Sequence, residues 1–232
     1  MRLLVRIGLA LATLAWVGTA LQAQPSSATS VRLDGDAIFF TGRIDGASVA
    51  EFLRLLRDPA VARLVIQSQG GLVAPALDMA EAVHERGLDV EVAQACLSSC
   101  ANYVFPAGRR KLLSGPEAVG WHGNMAHVLY RQQRGEEQWG EGPMAQAREL
   151  AQREDAFFRR IAVDGFVCWF GKIAPYEASD FYTLTPADMA GFGIRDVTVR
   201  DPAAKSPSGD VRMLAVDWGT LEAARPVVRV QD

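Results

Sequence analysis

The chain predicts an α/β fold with a mostly parallel sheet and flanking helices. Three observations carry that expectation. Short β-branched apolar runs alternate with stretches of helical periodicity, several runs stop at clusters of glycine or serine, and no internal repeat is visible. Val31 to Leu33 and Ala37 to Thr41 bracket a Gly35-Asp36 turn and read as a first hairpin. Ser48 to Leu56 has helical periodicity, with Ser48 placed to cap it. Ala62 to Ser68 is a β-branched run ending at Gln69-Gly70-Gly71, and a helical pattern resumes from Ala74 to Arg86, closed by Gly87. Val90 to Ala95 reads as another buried strand, Ser99 to Phe105 as the start of a helix, and Ala118 to His122 as a further strand. Pro143 opens a long amphipathic helix from about Met144 to Val163. Ala147, Leu150, Ala151, Phe157, Phe158 and Ile161 mark its apolar side, and Arg148, Glu149, Arg153 and Glu154 its wet one. Before it, the Gly-, Gln- and Glu-rich stretch Asn124 to Gly142 is a candidate mobile loop beside His122, and Ala203 to Asp210 reads as a flexible surface segment.

The N-terminus stands apart from this pattern. Arg2 and Arg6 form a short basic region, Ile7 to Leu21 is almost wholly apolar, and small residues follow at Gly18, Ala20 and Ala23. This is a signal peptide pattern over residues 1–23, with cleavage after Ala23 or Ala20. Its 15 apolar residues fall short of the roughly 20 that span a bilayer. A periplasmic or secreted protein is expected, with a loose segment over 24–30. About 209 residues remain, enough for one domain with a sizeable core. Loss of Arg2 and Arg6 takes Lys+Arg from 24 to 22 against 27 acids, a net charge of −5. No dense basic stripe survives, so nucleic acid is not an expected partner. The basic run Arg109-Arg110-Lys111 reads as a solvated turn.

Cys96, Cys100 and Cys168 are an odd number for an exported chain, and one disulfide is expected without the pair being fixed. No CxxC occurs, and His84, His122 and His127 show no ligand-like spacing with the cysteines. No metal and no cofactor are therefore expected.

The chemistry-bearing residues fall in a definite order. Gly70 and Gly71 come first, then Ser99 inside Cys96-Leu97-Ser98-Ser99-Cys100-Ala101, then His122, each at the end of an apolar run. Singly these signals say little, since helix-start serines are mostly caps and paired glycines mostly turns. In order, they fit an oxyanion loop, a nucleophile and a base, which is the constellation of a serine hydrolase. Glycines at 70 and 71 admit a substrate carbonyl close to backbone N–H groups, and the N–H of Cys100, following the serine, completes a two-donor hole.

Ser68-Gln69-Gly70-Gly71 followed by Ala74, Ala76, Met79 and Ala80 resembles the S-x-G-G loop and helix of the Clp serine protease family, within the Clp/crotonase superfold. Ser99-Cys100-Ala101, then Ala107-Gly108 with basic residues after it, then Val119-Gly120-Trp121-His122 resembles that family's nucleophile helix, its turn, and the strand ending in its histidine. The segment from Ser179 through Thr185-Pro186 to Gly193-Ile194-Arg195-Asp196 is similar to the family's closing strand and helix. The match runs from about Ile38 to Val199 and implies repeated β-β-α units in one domain over 31–200, with a C-terminal extension over 201–232. It implies Ser99 as nucleophile, His122 as base, the N–H groups of Gly71 and Cys100 as the oxyanion hole, and Gly70 in substrate binding. Ser98 falls one place early in this match. Counting back from Pro186, the place of the family's aspartate lands near Tyr176; the nearest acids are Glu177 and Asp180. Asp180, which leads directly into the strand, is the expected third member, with a Ser–His dyad as the alternative.

The family's cytoplasmic members work as barrels fed by an ATPase, and nothing in this chain recruits one. The expectation is an ATP-independent peptidase acting on a peptide or envelope-protein substrate, with a homo-oligomer compatible with the resemblance. Two other classes remain open: a non-catalytic binding protein that keeps the fold, and a crotonase-type or thioester-acting enzyme.

Overall fold

The computed structural model describes residues 29–204 and 211–228. The expected signal peptide, most of the loose segment 24–30 and most of Ala203 to Asp210 lie outside the described residues. Among the described residues, no helix is long and apolar enough to cross a membrane.

The chain opens with the hairpin β1 (Ser30–Asp34) and β2 (Ala37–Thr41), paired antiparallel across a turn in which Gly35 takes φ +60°. Helix α1 (Gly46–Leu55) follows. Its cap is Asp45 rather than Ser48: Asp45 accepts from the Ser48 N–H, and the Ser48 hydroxyl answers by accepting from the Asp45 N–H, a reciprocal capping box. β3 (Arg63–Ser68), α2 (Val73–Glu85) and β4 (Asp89–Leu97) form a β-α-β unit, with β3 parallel to both β2 and β4. Leu64 and Ile66 on one face and Val65 on the other are all buried, as a strand covered on both faces requires.

β4 is the spine of the molecule. Its register against β3 slips between Ile66 and Ser68, so that Ile66 faces Val92 but Ser68 faces Cys96. Extra residues on one strand bend it. The first half of β4 pairs with β5 (Lys111–Leu113), and its last residues pair with β6 (Val119–Gly120). β5 in turn pairs with β8 (Val197–Val199), completing a seven-stranded sheet that is parallel except at β1. Of the basic run, Arg109 and Arg110 are exposed and pair with Asp89. Lys111 belongs to the strand and is buried, its Nζ donating to the Arg195 carbonyl at 3.0 Å.

Past β4, Cys100–Val104 is a π-helical turn running into the short α3 (Phe105–Ala107). About half of the stretch expected to be a mobile loop is a helix, α4 (Met125–Gln133), capped by Asn124, whose side chain accepts from the His127 N–H. α5 (Glu141–Arg160) starts at Gly140, so Pro143 is its third residue, still within the first turn where N–H groups have no helical partner. A second sheet joins β7 (Phe181–Leu184) to β9 (Val211–Leu214) in parallel. α6 (Pro186–Gly191) and α7 (Trp218–Ala224) flank it. Residues 211–228 are thus packed into the domain, with Leu214 and Leu221 in the main core.

Candidate functional site

The glycine loop, the end of β4 and the end of β6 converge at one edge of the sheet. Gly70 adopts φ +89°, and a Cβ there would stand 2.7 Å from the Leu97 carbonyl oxygen, 2.8 Å from Ser98 Cβ and 3.0 Å from the Ser99 nitrogen. Only glycine fits the backbone and the space. Gly71 is pinned against Ile44: the Leu72 N–H donates to the Ile44 carbonyl at 2.9 Å, and a Cβ on Gly71 would collide with that carbonyl oxygen at 1.9 Å.

Ser98 sits between strand and π-turn with φ +54°, a left-handed conformation that a non-glycine residue adopts only when its surroundings impose it. Its N–H donates to the Gly120 carbonyl at 3.0 Å, and its own carbonyl accepts from the Asn102 N–H at 2.8 Å. The disulfide Cys96–Cys100 closes around it, with Cα atoms 5.2 Å apart, and leaves Cys168 as a buried free thiol. This bond answers the pairing that the sequence left open. The result is a sharp strand-to-helix turn with the Ser98 side chain at its tip.

His122, one residue past the bridge between Trp121 and Tyr182, places Nε2 2.7 Å from Ser98 Oγ. Its ring packs on Phe181 with centroids 4.6 Å apart. Partial desolvation by this packing, and then the Lys172 ammonium, lower its pKa below the ordinary imidazole value. The neutral ring, which can accept a proton, is therefore the dominant form at neutral pH.

The pairing differs from the expected one. Ser99 is 2% exposed and points away from His122; its Oγ accepts from the Gly71 N–H at 2.8 Å and lies 3.3 Å from the Gly71 carbonyl oxygen, to which it donates. The displacement by one place has a local cause. In the π-turn the Phe105 N–H reaches back to the Cys100 carbonyl, an i to i−5 bond that takes up one residue more than an α-helix would. Counting back from Ala107-Gly108 at α-helical pitch therefore lands on Ser99, one residue late.

The expected oxyanion pair changes with it. The Gly71 N–H is engaged by Ser99 Oγ and the Gly70 N–H by Ser68 Oγ at 3.0 Å. The residue following Ser98 is Ser99, whose own N–H has no hydrogen-bond partner among the described residues and lies beside the space that glycine at 70 keeps open. Cys100, one place further, is wholly buried. Asp180 is exposed, accepts from the Ser179 hydroxyl at 3.1 Å, and makes no bond to His122. Its main-chain oxygen receives Lys172 Nζ, and the charge from this side that acts on the histidine is that ammonium. No carboxylate bonds His122 among the described residues, which leaves a dyad.

A cleft of about 710 Å³ runs from Ser98 along the glycine loop to the ends of β2 and β3, lined by Thr41, Arg43, Gln67 and Gln69 among others. No group of three His, Cys, Asp or Glu side chains suited to a metal ion occurs among the described residues.

Fold and site together define a mixed α/β protein whose parallel sheet presents a paired serine and histidine at one edge. No family model matches the chain, and no curated protein matches it. Among solved structures, it is similar to the ClpP protease catalytic domain from Plasmodium falciparum, at 13% identity over 75% of this chain and 89% of that one, TM-score 0.43. It is also similar to a methylmalonyl CoA decarboxylase, at 7% identity over 40% of this chain, TM-score 0.31, and spans 46% of that chain's length.

Proposed function

We propose that this chain is an exported, ATP-independent serine hydrolase working through a Ser98–His122 dyad, with a peptide or an envelope-protein segment as substrate. The observation that carries the reading is the 2.7 Å contact between His122 Nε2 and the hydroxyl of a serine held at positive φ. With the ring proton on Nδ1, Nε2 takes the Ser98 proton as Oγ forms its bond to the carbonyl carbon. The carbonyl electrons move onto oxygen beside the Ser99 N–H. The imidazolium then returns the proton to the leaving amine or alkoxide as the C–N or C–O bond breaks, and water repeats the cycle to release the acid. Without a carboxylate on Nδ1 the imidazolium is less stabilised, so a slow enzyme is expected. Export rests on the N-terminal pattern and agrees with a disulfide in the chain.

A non-catalytic binding protein is the second reading, favoured by the lack of a carboxylate on the His122 ring among the described residues and by the Gly71 N–H already engaged by Ser99. The test is mass spectrometry after treatment of the mature protein with a fluorophosphonate. Labelling at Ser98 that is lost in His122→Ala supports the hydrolase; an unlabelled, folded wild type overturns it in favour of the binding protein.

A further inference from the structure

Two hydrogen-bonded paths leave the π-turn Cys100–Val104 and reach the segment just after His122. In the first, Asn102 Nδ2 donates to the Gly123 carbonyl at 2.8 Å. In the second, the Tyr103 hydroxyl donates to Glu154 Oε1, and the two Glu154 oxygens accept from the Met125 N–H at 3.1 and 3.2 Å. Met125 opens α4, so the carboxylate meets an N–H that has no helical partner, at the positive end of the helix. The turn that follows Ser98 thus grips both sides of the turn that follows His122.

Glu154 is 1% exposed and is the one buried carboxylate among the described residues. It belongs to the inner face of α5 with Ala147, Ala151 and Phe158, not to the wet side where the sequence pattern puts it. An apolar side chain would fill this place without the desolvation cost of an acid, so the acid has another role. We propose that Glu154 is a positioning residue for His122: it locks the Gly123-Asn124-Met125 turn onto the nucleophile's own turn, giving the base the orientation that no ring-bonded acid supplies. The inference rests on the reading of Ser98 and His122 as the reacting pair.

Burial pushes the Glu154 carboxyl up to about 7, against the Tyr103 hydroxyl and the Met125 and Ala126 N–H groups, which hold it down. The groups facing it are Tyr103 from the π-turn and Cys168 from the turn 165–168, both pushed well up by burial; α4 offers its N–H groups and, further along, His127. Asp155 and Arg159 on its own helix, and the Asp164–Arg225 pair, line the shallow cleft outside it. Once protonated, the acid gives up acceptor capacity, and the turn carrying the base slackens.

The test measures fluorophosphonate labelling of Ser98 against pH, alongside the His122 ring shifts by NMR, for wild type, Glu154→Gln and Tyr103→Phe, with circular dichroism as the check on folding. Wild type should gain reactivity as His122 deprotonates and again near pH 7. Glu154→Gln should erase the upper step and label about tenfold more slowly, as a slightly misplaced base does. Tyr103→Phe removes a donor that holds the carboxyl down and should move the step to higher pH. A folded Glu154→Gln with wild-type rate and an intact upper step overturns the proposal; if that variant does not fold, an unchanged Tyr103→Phe profile does. If wild type does not label, the hydrolase reading fails and the ring shifts decide this one. A His122 inflection near pH 7 that Glu154→Gln abolishes supports positioning, and no such inflection, or the same one in both proteins, overturns it.

Discussion

The Ser99 hydroxyl accepts the Gly71 N–H at 2.8 Å, tying the glycine loop to the turn that carries Ser98. Two adjacent serines consequently have opposite duties, one facing the base and one fastening the loop. Ser98→Ala should abolish fluorophosphonate labelling while leaving the thermal melt nearly unchanged, because a partly exposed hydroxyl contributes little to a core. Ser99→Ala should keep labelling but lose about 1 kcal/mol of stability, the cost of leaving the part-buried Gly71 N–H without its acceptor. Loss of labelling in Ser99→Ala with an unaltered melt would assign the nucleophile to Ser99 instead.

The pH dependence of the site has a definite sign. Desolvation and then Lys172 lower the His122 pKa, so the folded protein binds this proton less readily than the unfolded chain. Both reactivity and this residue's contribution to stability should therefore fall as pH drops below 6.5, the ordinary imidazole value. Lys172→Met removes the smaller of the two causes. The midpoint of the lower step of the labelling profile, the one set by His122, should move up but stay below 6.5. A midpoint unmoved by that substitution would show that the ammonium does not act on the ring.

How much of this was legible in the chain depended on the range of the interaction concerned. The hairpin at Gly35-Asp36, the β3–loop–α2 unit and the glycine, serine, histidine order could be read because each rests on neighbours in sequence. The choice between Ser98 and Ser99 could not, because it turns on the pitch of Cys100–Val104, and α and π turns leave the same apolar pattern at this length. Glu154 was placed on the wet side of its helix by residue type, although its position three after Ala151 and four before Phe158 puts it on the buried face. That spacing was the available signal, and charge outweighed it. Asn124 to Gly142 was read as a loop from its glycines and glutamines, yet Asn124 caps a helix whose inner side is held by α5. The Asp180 assignment depended on which way a side chain turns at a strand entrance, where the carboxylate takes the Ser179 hydroxyl and Lys172 holds the main chain.

The disulfide should matter more to reactivity than to stability. Cys96 and Cys100 are four residues apart, and closing so short a loop constrains the unfolded chain by only about 2 kcal/mol. The bond nevertheless encloses Ser98, whose positive φ needs enforcement from its surroundings. The double variant Cys96→Ala, Cys100→Ala should melt lower by that amount, and its folded fraction should label Ser98 at least several-fold more slowly. Equal labelling by folded variant and wild type would mean that Gly120 and Asn102 hold the turn without the bond.

Two glycines with positive φ separate backbone strain from obstruction of the site. Gly35 at φ +60° has nothing within 4 Å of an added Cβ, so Gly35→Ala should cost about 1 kcal/mol of conformational strain and leave reactivity alone. Gly70 at φ +89° would bring its Cβ to 2.7 Å from the Leu97 oxygen and 3.0 Å from the Ser99 nitrogen, whose N–H is the donor proposed for the oxyanion. Gly70→Ala should therefore be destabilised further and lose labelling by at least a hundredfold, as removal of an oxyanion donor does elsewhere. Melting curves and labelling rates for the two variants together make the comparison. A Gly70→Ala protein that folds and labels like Gly35→Ala would mean that the oxyanion lies elsewhere than beside Ser99.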